Sequence, residues 1–469
     1  MTKNKKGRSQ VIKSLDQDKE FKSKLKNIID TSPLKKVIGL LENEIESQLT
    51  ITSFSYGIPG FLKDTAYHFN EAVKEVLGFS TIKATAGASG DTPPKFLTVD
   101  FPDGNIVKVP FGDINLPGLS EGSRANIGYD RASRSLIIDV ETERRHAAKI
   151  DEIVRKAKHA VKYHSIYANS ALIFDEDVHE PQFADVSKFE DQPVFLNPEV
   201  EQAIIPIKVR LEKTEILESK GIDIKFGALL QGPYGTGKTL LAWNLAAKAV
   251  KNGWTFVYVK NPEIVKEVME ITQSLSHSAK GTLMFVEDID LILSGDRDAE
   301  MNEVINLMDG GDNKKLNTIY LFTTNHIEKI NPTFLRGKRI GALISMEHLE
   351  PEVTEKFIRY FLGENLDLNE DLTEVVKMIS DNKITPAFVS EIIEKAQANL
   401  IFYEKDKVDK DTLKMYVKSY LSQIKLVQTT KEEPAEVTFV KSWKKLMTTT
   451  GEIIDRVEEA ETEIINKLY

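Results

Sequence analysis

The stretch Phe226-Gly-Ala-Leu-Leu-Gln-Gly232-Pro-Tyr-Gly235-Thr-Gly237-Lys238-Thr239 constrains this chain more than any other. An apolar strand-like run leads through Gly232, Pro233, Tyr234, Gly235, Thr236 and Gly237 into Lys238, Thr239 and Leu240, and helical spacing continues to Val250. This is G-x-x-x-x-G-K-[ST] set between a strand and a helix, the context in which such a loop wraps phosphate groups with its backbone N–H donors. Glycines permit the wrap, and the helix that follows turns its positive end toward the anion. Lys238 is therefore expected to neutralise β- and γ-phosphate charge, and Thr239 to place a hydroxyl on Mg²⁺. A parallel α/β sheet holding ATP and Mg²⁺ is the expected centre of the molecule.

Two later strands end in the residue types that such a centre needs. Gly281-Thr-Leu-Met-Phe-Val-Glu287-Asp288-Ile-Asp290 is a buried-type strand ending in three carboxylates. After a phosphate loop, one acid at such a strand end holds the metal shell and a second orients or deprotonates the attacking water. Asn317-Thr-Ile-Tyr-Leu-Phe-Thr323-Thr324-Asn325 is a second apolar run with a polar tip. Asn325 is the candidate there to touch γ-phosphate or water, although an Asn at a strand end is also a common turn former.

The 469 residues allow two to four domains. No apolar run is long enough to span a bilayer, and basic Met1 to Arg8 is not followed by an apolar h-region, so a cytoplasmic protein is expected. The chain has no cysteine, which excludes disulfides and thiolate chemistry, and its net charge of -10 argues against broad nucleic-acid binding. Residues 1–190 read as an α+β N-terminal domain. Helical spacing covers Leu25 to Ile45 and Thr65 to Phe79, a small polar loop runs from Ala84 to Pro94, and Phe96–Phe101 with Ile106–Phe111 form a hairpin. A strand at Leu136–Val140 feeds a helix from about Glu143 to Lys162, and acidic Asp175 to Asp191 connects to the motor. Residues 426–469 read as a C-terminal tail, with a polar break at Thr429 to Pro434 and a helix from Ser442 to Tyr469.

In order, Phe195-Leu-Asn-Pro-Glu-Val, the phosphate loop, Glu287-Asp288-Ile-Asp290, Leu307-Met-Asp309-Gly310, Thr323-Thr-Asn325 and Leu335-Arg336-Gly-Lys-Arg339 resemble the AAA subfamily of AAA+ ATPases over roughly 220 residues. The resemblance implies a five-stranded parallel sheet (191–348), a small helical lid (349–425) and assembly into a hexameric ring. It also implies that Asn325 is the sensor residue and that Arg336 and Arg339 are arginine fingers reaching a neighbouring subunit's γ-phosphate. Positional carry-over makes Glu287, with Thr239, the metal-side residue and Asp288 the water-activating one, with an exchange of roles between the two acids as the alternative.

The sequence departs from the family pattern three times. The usual Asp-Glu pair is inverted to Glu287-Asp288, a style associated with the branch resembling the mitochondrial inner-membrane AAA translocase. Pro386 stands at the lid where glycine is usual. The stretch matching the family's pore loop is Glu267-Val268-Met269-Glu270, with no aromatic to grip a threaded polypeptide. The expected function is a ring-forming ATPase that remodels or moves a protein partner or adaptor bound by the N-terminal domain. A nucleic-acid motor or loader is the alternative, and a linked metalloprotease is excluded because no H-E-x-x-H occurs.

Overall fold

The computed structural model describes residues 34–78 and 95–429, apart from 117, 121, 177, 273, 274, 276, 295–298, 310–315, 337 and 338, together with Ser23. The expected loop at 84–94, the apolar positions Leu25, Ile28 and Ile29, and the C-terminal tail from residue 430 lie outside the described residues; residues 426–429 continue the helix Lys410–Thr429. The chain divides into two compact units, one drawn from residues up to 192, 203–231 and 239–344, the other from 193–202, 232–238 and 345 onward.

In the first unit, five strands form an antiparallel sheet: β1 (Ile51–Pro59), β2 (Lys95–Asp100), β3 (Ile106–Asn115), β4 (Arg124–Asp130) and β5 (Ser135–Glu143), in the order β1-β5-β4-β3-β2. The expected hairpin is β2–β3, with Lys95 opposite Phe111 and Asp100 opposite Ile106. On β5, Leu136, Ile138, Val140 and Thr142 are buried and alternate with more exposed residues, the period of a sheet with one covered face. The helices Leu62–Leu77 and Ala147–Tyr163 pack together, and Phe69, Val73, Ile150 and Val154 join the sheet's inward residues in one core. This region is α+β, as expected.

The same unit holds the motor sheet, built from β6 (Ala171–Phe174), β7 (Gln182–Phe183), β8 (Phe226–Gln231), β9 (Thr255–Val259), β10 (Thr282–Val286), β11 (Thr318–Thr324) and β12 (Ala342–Ser345). Their order is β12-β8-β11-β10-β9-β6-β7. β9, β10 and β11 are buried at every position, which explains their unbroken apolar runs: a parallel sheet covered on both faces has no solvent side to alternate with. Five strands, β8, β11, β10, β9 and β6, are mutually parallel, the number that the resemblance implied. The fifth, however, comes from residues 171–174, ahead of the phosphate loop, and β7 adds an antiparallel edge. The acidic connection is anchored as well. Phe189 stacks on Trp243 with ring centroids 5.3 Å apart, and its carbonyl accepts from Asn244 Nδ2 at 3.1 Å.

The second unit is helical. Helices Pro351–Leu362, Thr373–Asp381, Pro386–Phe402 and Lys410–Thr429 enclose a core that includes Phe357, Leu362, Val375, Ile379, Ile392 and Val417. Phe195 packs edge-on against Phe357 and Tyr360, so the stretch that opens the family resemblance belongs to this core. Asn197 ties it further, donating to the His348 carbonyl at 3.0 Å and accepting the Glu350 N–H at 2.8 Å.

Candidate active site

Gly232 to Lys238 lie with the helical unit and Thr239 with the sheet unit, and the helix Lys238–Lys251 carries both of the last two. The loop turns on left-handed glycines: Gly232, Gly235 and Gly237 have φ of 149°, 79° and 93°. At Gly232 a Cβ would lie 1.9 Å from the Met346 carbonyl oxygen, so only glycine fits. At Gly235 it would lie 2.9 Å from both Ala387 Cβ and Thr385 Oγ1. The Gly235 carbonyl accepts the Ala387 N–H at 3.0 Å, which fastens the loop to the start of helix Pro386–Phe402. Pro386 sits in the first turn of that helix, where its missing N–H costs nothing, so the departure from the family's glycine is compatible with this cap.

Lys238 is buried, and its ammonium donates to the carbonyls of Gly232 at 2.6 Å and Pro233 at 3.0 Å. Thr236, also buried, donates to the Pro233 carbonyl at 3.0 Å, while Pro233 and Tyr234 are exposed. Leu240 is half-buried in the helix. The loop thus offers a confined ammonium, glycine-bent backbone and a helix start, which together suit a polyphosphate.

In the sheet unit, the tips of β9, β10 and β11 bring several functional groups together. Thr239 Oγ1 and the Tyr258 hydroxyl both donate to the Glu287 carboxylate, one to each oxygen. A hydroxyl beside a carboxylate is the hard oxygen set that suits Mg²⁺. Burial, reinforced by Glu287, pushes the Tyr258 hydroxyl well up, so Tyr258 stays a neutral donor. Asp288 has φ 46° and ψ 48°, a left-handed conformation that Asp tolerates better than most residues. Its N–H donates to Thr323 Oγ1 at 3.1 Å, and its Oδ1 accepts from Asn325 Nδ2 at 2.9 Å. Asn325 and Asp288 therefore meet, one strand apart, as the motif order anticipates. The third acid has a different setting: Asp290 is buried and accepts from the buried Thr324 hydroxyl at 2.6 Å, which fixes the two strand tips to each other.

The two arginines differ. Arg336 is exposed. Arg339 is tied within its own chain, forking onto Asp309 with Nε and Nη2 at 2.9 and 2.8 Å and donating to the Thr333 carbonyl at 2.8 Å. That pair holds Asp309 below the usual carboxylate range. Sequence reasoning did not reach Tyr258, and it named Asp290 and Asp309 only as members of their motifs, with no role of their own. Tyr258 left a weak signal, as a hydroxyl near the end of the run Thr255-Phe-Val-Tyr-Val.

The pore-loop stretch lies in helix Val265–Thr272, with Val268 and Met269 buried in the core. Among the described residues, no cluster of three or more metal-ligating His, Asp or Glu side chains occurs, and no helix is long and apolar enough to cross a membrane.

Residues 228–348, from the buried half of β8 to just past β12, match the family described as "ATPase family associated with various cellular activities (AAA)". The chain carries an AAA ATPase domain. Its relatives include a 26S proteasome regulatory subunit 4 homolog of Schizosaccharomyces pombe, 28% identical over 235 residues, covering 46% of this chain and 49% of that one. A proteasome-activating nucleotidase of Methanocella arvoryzae is 30% identical over 227 residues, covering 43% and 52%. An AAA-ATPase of Arabidopsis thaliana is 29% identical over 251 residues, covering 47% and 48%. The chain spans about half the length of the curated relatives it matches. These relatives support the AAA+ family and give no support to the mitochondrial translocase branch suggested by the inverted acidic pair.

Proposed function

We propose that this protein is an ATP hydrolase that works as a homo-oligomeric ring, a hexamer by resemblance, and uses turnover to remodel a protein partner held by its N-terminal α+β region. The observation that carries the reading is the meeting of Glu287, Asp288 and Asn325 at adjoining strand tips, with Thr239 on Glu287. The phosphate loop and Lys238 bind the β- and γ-phosphates. Thr239 and Glu287 hold Mg²⁺, which when bound screens phosphate charge. Asp288, held by the Asn325 amide, accepts the proton of the attacking water, and Asn325 keeps that carboxylate oriented. Arg336, exposed, is available to a neighbouring subunit's nucleotide. The protein-remodelling part draws support from the proteasomal relatives, one of them a proteasome-activating nucleotidase.

The test is ATP turnover measured against protein concentration, with nucleotide binding measured separately. Specific activity is expected to rise as rings assemble, and Lys238→Ala to abolish ATP binding. Activity independent of concentration would refute the ring, and near-normal affinity in Lys238→Ala would refute the phosphate loop.

A further inference from the structure

Within the sheet unit, a cavity of about 520 Å³ lies where the N-terminal sheet meets the motor helix Val265–Thr272. Phe61, Val161, Val178 and Ile271 give it an apolar lining. Arg134, Lys158 and Lys162 supply three permanent cations and Glu270 one carboxylate, beside His179 and His277, in a chain whose net charge is -10. Both lysines line the cavity and are exposed, and the Lys162 ammonium lies over the Tyr163 ring, 5.2 Å from its centroid.

The walls are fixed before any ligand arrives. Gly60 has φ 142°, and a Cβ there would come 3.1 Å from Val161 Cγ1, so the backbone passes tightly under the cavity. Its N–H donates to the Arg134 carbonyl at 3.0 Å, and its carbonyl accepts the Tyr129 hydroxyl at 2.9 Å. Arg134, left-handed at φ 48°, closes the turn between β4 and β5, and its guanidinium lies 3.8 Å from Glu270. A volume in this range fits a small organic molecule rather than an ion.

We propose that this cavity binds a small amphipathic carboxylate, with its apolar body against Phe61, Val161 and Ile271 and its carboxylate among Arg134, Lys158 and Lys162. Charge complementarity selects the anionic head, and the apolar lining selects the tail. A peptide fits less well, because the main-chain groups at Gly60 that could pair with its backbone are already used. The site is separate from the nucleotide machinery and does not rest on the hydrolysis reading.

Isothermal titration of the full chain with decanoate, without nucleotide, tests it. One saturable site is expected, with affinity falling more than tenfold for butyrate and for the neutral analogue decanol. Lys158→Glu with Lys162→Glu is expected to weaken decanoate more than tenfold at an unchanged melting temperature, Val178→Trp to block it by filling the cavity, and Lys238→Ala to leave it intact. Decanol binding as tightly as decanoate, undiminished affinity in the charge-reversed variant, absence of saturation, or tighter binding of the peptide N-acetyl-Ala-Ala-Leu-Phe would each overturn the proposal.

Discussion

Replacing Asp288 with Asn separates substrate binding from hydrolysis, and the surroundings of the two adjacent acids say by how much. Glu287 already accepts two hydroxyl donors, Thr239 and Tyr258, one on each oxygen. A carboxylate with both oxygens so engaged is poorly placed to act as base on water and better placed to face a metal. Asp288 has one of its oxygens on the Asn325 amide and sits in a left-handed conformation that Asn adopts as readily. An amide at 288 can keep its oxygen on Asn325 Nδ2, so shape and backbone survive while basicity is lost. General-base catalysis contributes roughly 10²- to 10⁴-fold, so the barrier should rise by about 3 to 5 kcal/mol.

Phosphate release under saturating ATP and Mg²⁺ is expected to fall by that factor in Asp288→Asn, with affinity for a fluorescent ATP analogue within threefold of wild type and the melting temperature unchanged. Glu287→Gln should behave differently. Its amide turns an N–H₂ toward one of two hydroxyl donors and removes the metal-side charge, so the Mg²⁺ concentration needed for half-maximal binding should rise at least tenfold. If Glu287→Gln binds ATP and Mg²⁺ tightly without turnover, while Asp288→Asn still turns over within threefold of wild type, the assignment of the two acids is reversed.

Arg336→Ala is expected to leave stability unchanged but abolish turnover, with partial recovery on mixing with Lys238→Ala; Arg339→Ala should also cost about 1 kcal/mol in urea unfolding, because it releases Asp309 and the Thr333 carbonyl. Since Asp309 is held below its ordinary value of 3.8, its contribution is present above that pH and is lost as pH falls through the lowered value. Arg339→Ala should therefore lose less stability than wild type on acidification below about pH 4, and equal acid sensitivity would rule the pair out. Installing a pore-type aromatic as Val268→Tyr or Met269→Phe should destabilise the fold by about 1 to 3 kcal/mol without adding unfolding activity on a tagged reporter domain, since both positions are core. Gly235→Ala, strained by its φ of 79° and crowded by Ala387, should weaken ATP binding more than tenfold, and unchanged affinity would show that the loop tolerates a different path.

The motor was legible because parallel strands covered on both faces write themselves as unbroken apolar runs, and because phosphate binding demands glycines and Lys238 at fixed spacing. β8, β10 and β11 were readable for that reason. β6 and β7 were not, since four residues of apolar sequence next to Asp175 and a two-residue edge carry no periodicity of their own; β6 becomes a strand by pairing with β9, and β7 by pairing with β6. The acidic stretch at 175–191 read as a linker, yet Phe189 anchors it by stacking on Trp243, a contact between residues more than fifty positions apart. The same limit hid the division among the acids. Glu287, Asp288 and Asp290 are alike in sequence, and only the partners Tyr258, Asn325 and Thr324, contributed by neighbouring strands, set them apart.

Helix Val265–Thr272 brings these arguments together. In the family it resembles, the corresponding stretch displays an aromatic to a threaded chain. Here Val268 and Met269 face inward at 0% and 2% exposure, and exposed Glu270 approaches Arg134 of the N-terminal sheet at 3.8 Å. An ion pair with both partners partly exposed contributes little stability, so this contact can form and break cheaply. The helix follows β9, whose Tyr258 donates to Glu287, so a single short segment runs from a hydroxyl on that carboxylate to the N-terminal sheet. If turnover is coupled to a partner as proposed, this segment offers a covalent route from Glu287's neighbour Tyr258 to the N-terminal sheet, while buried Val268 and Met269 offer no grip on a threaded chain.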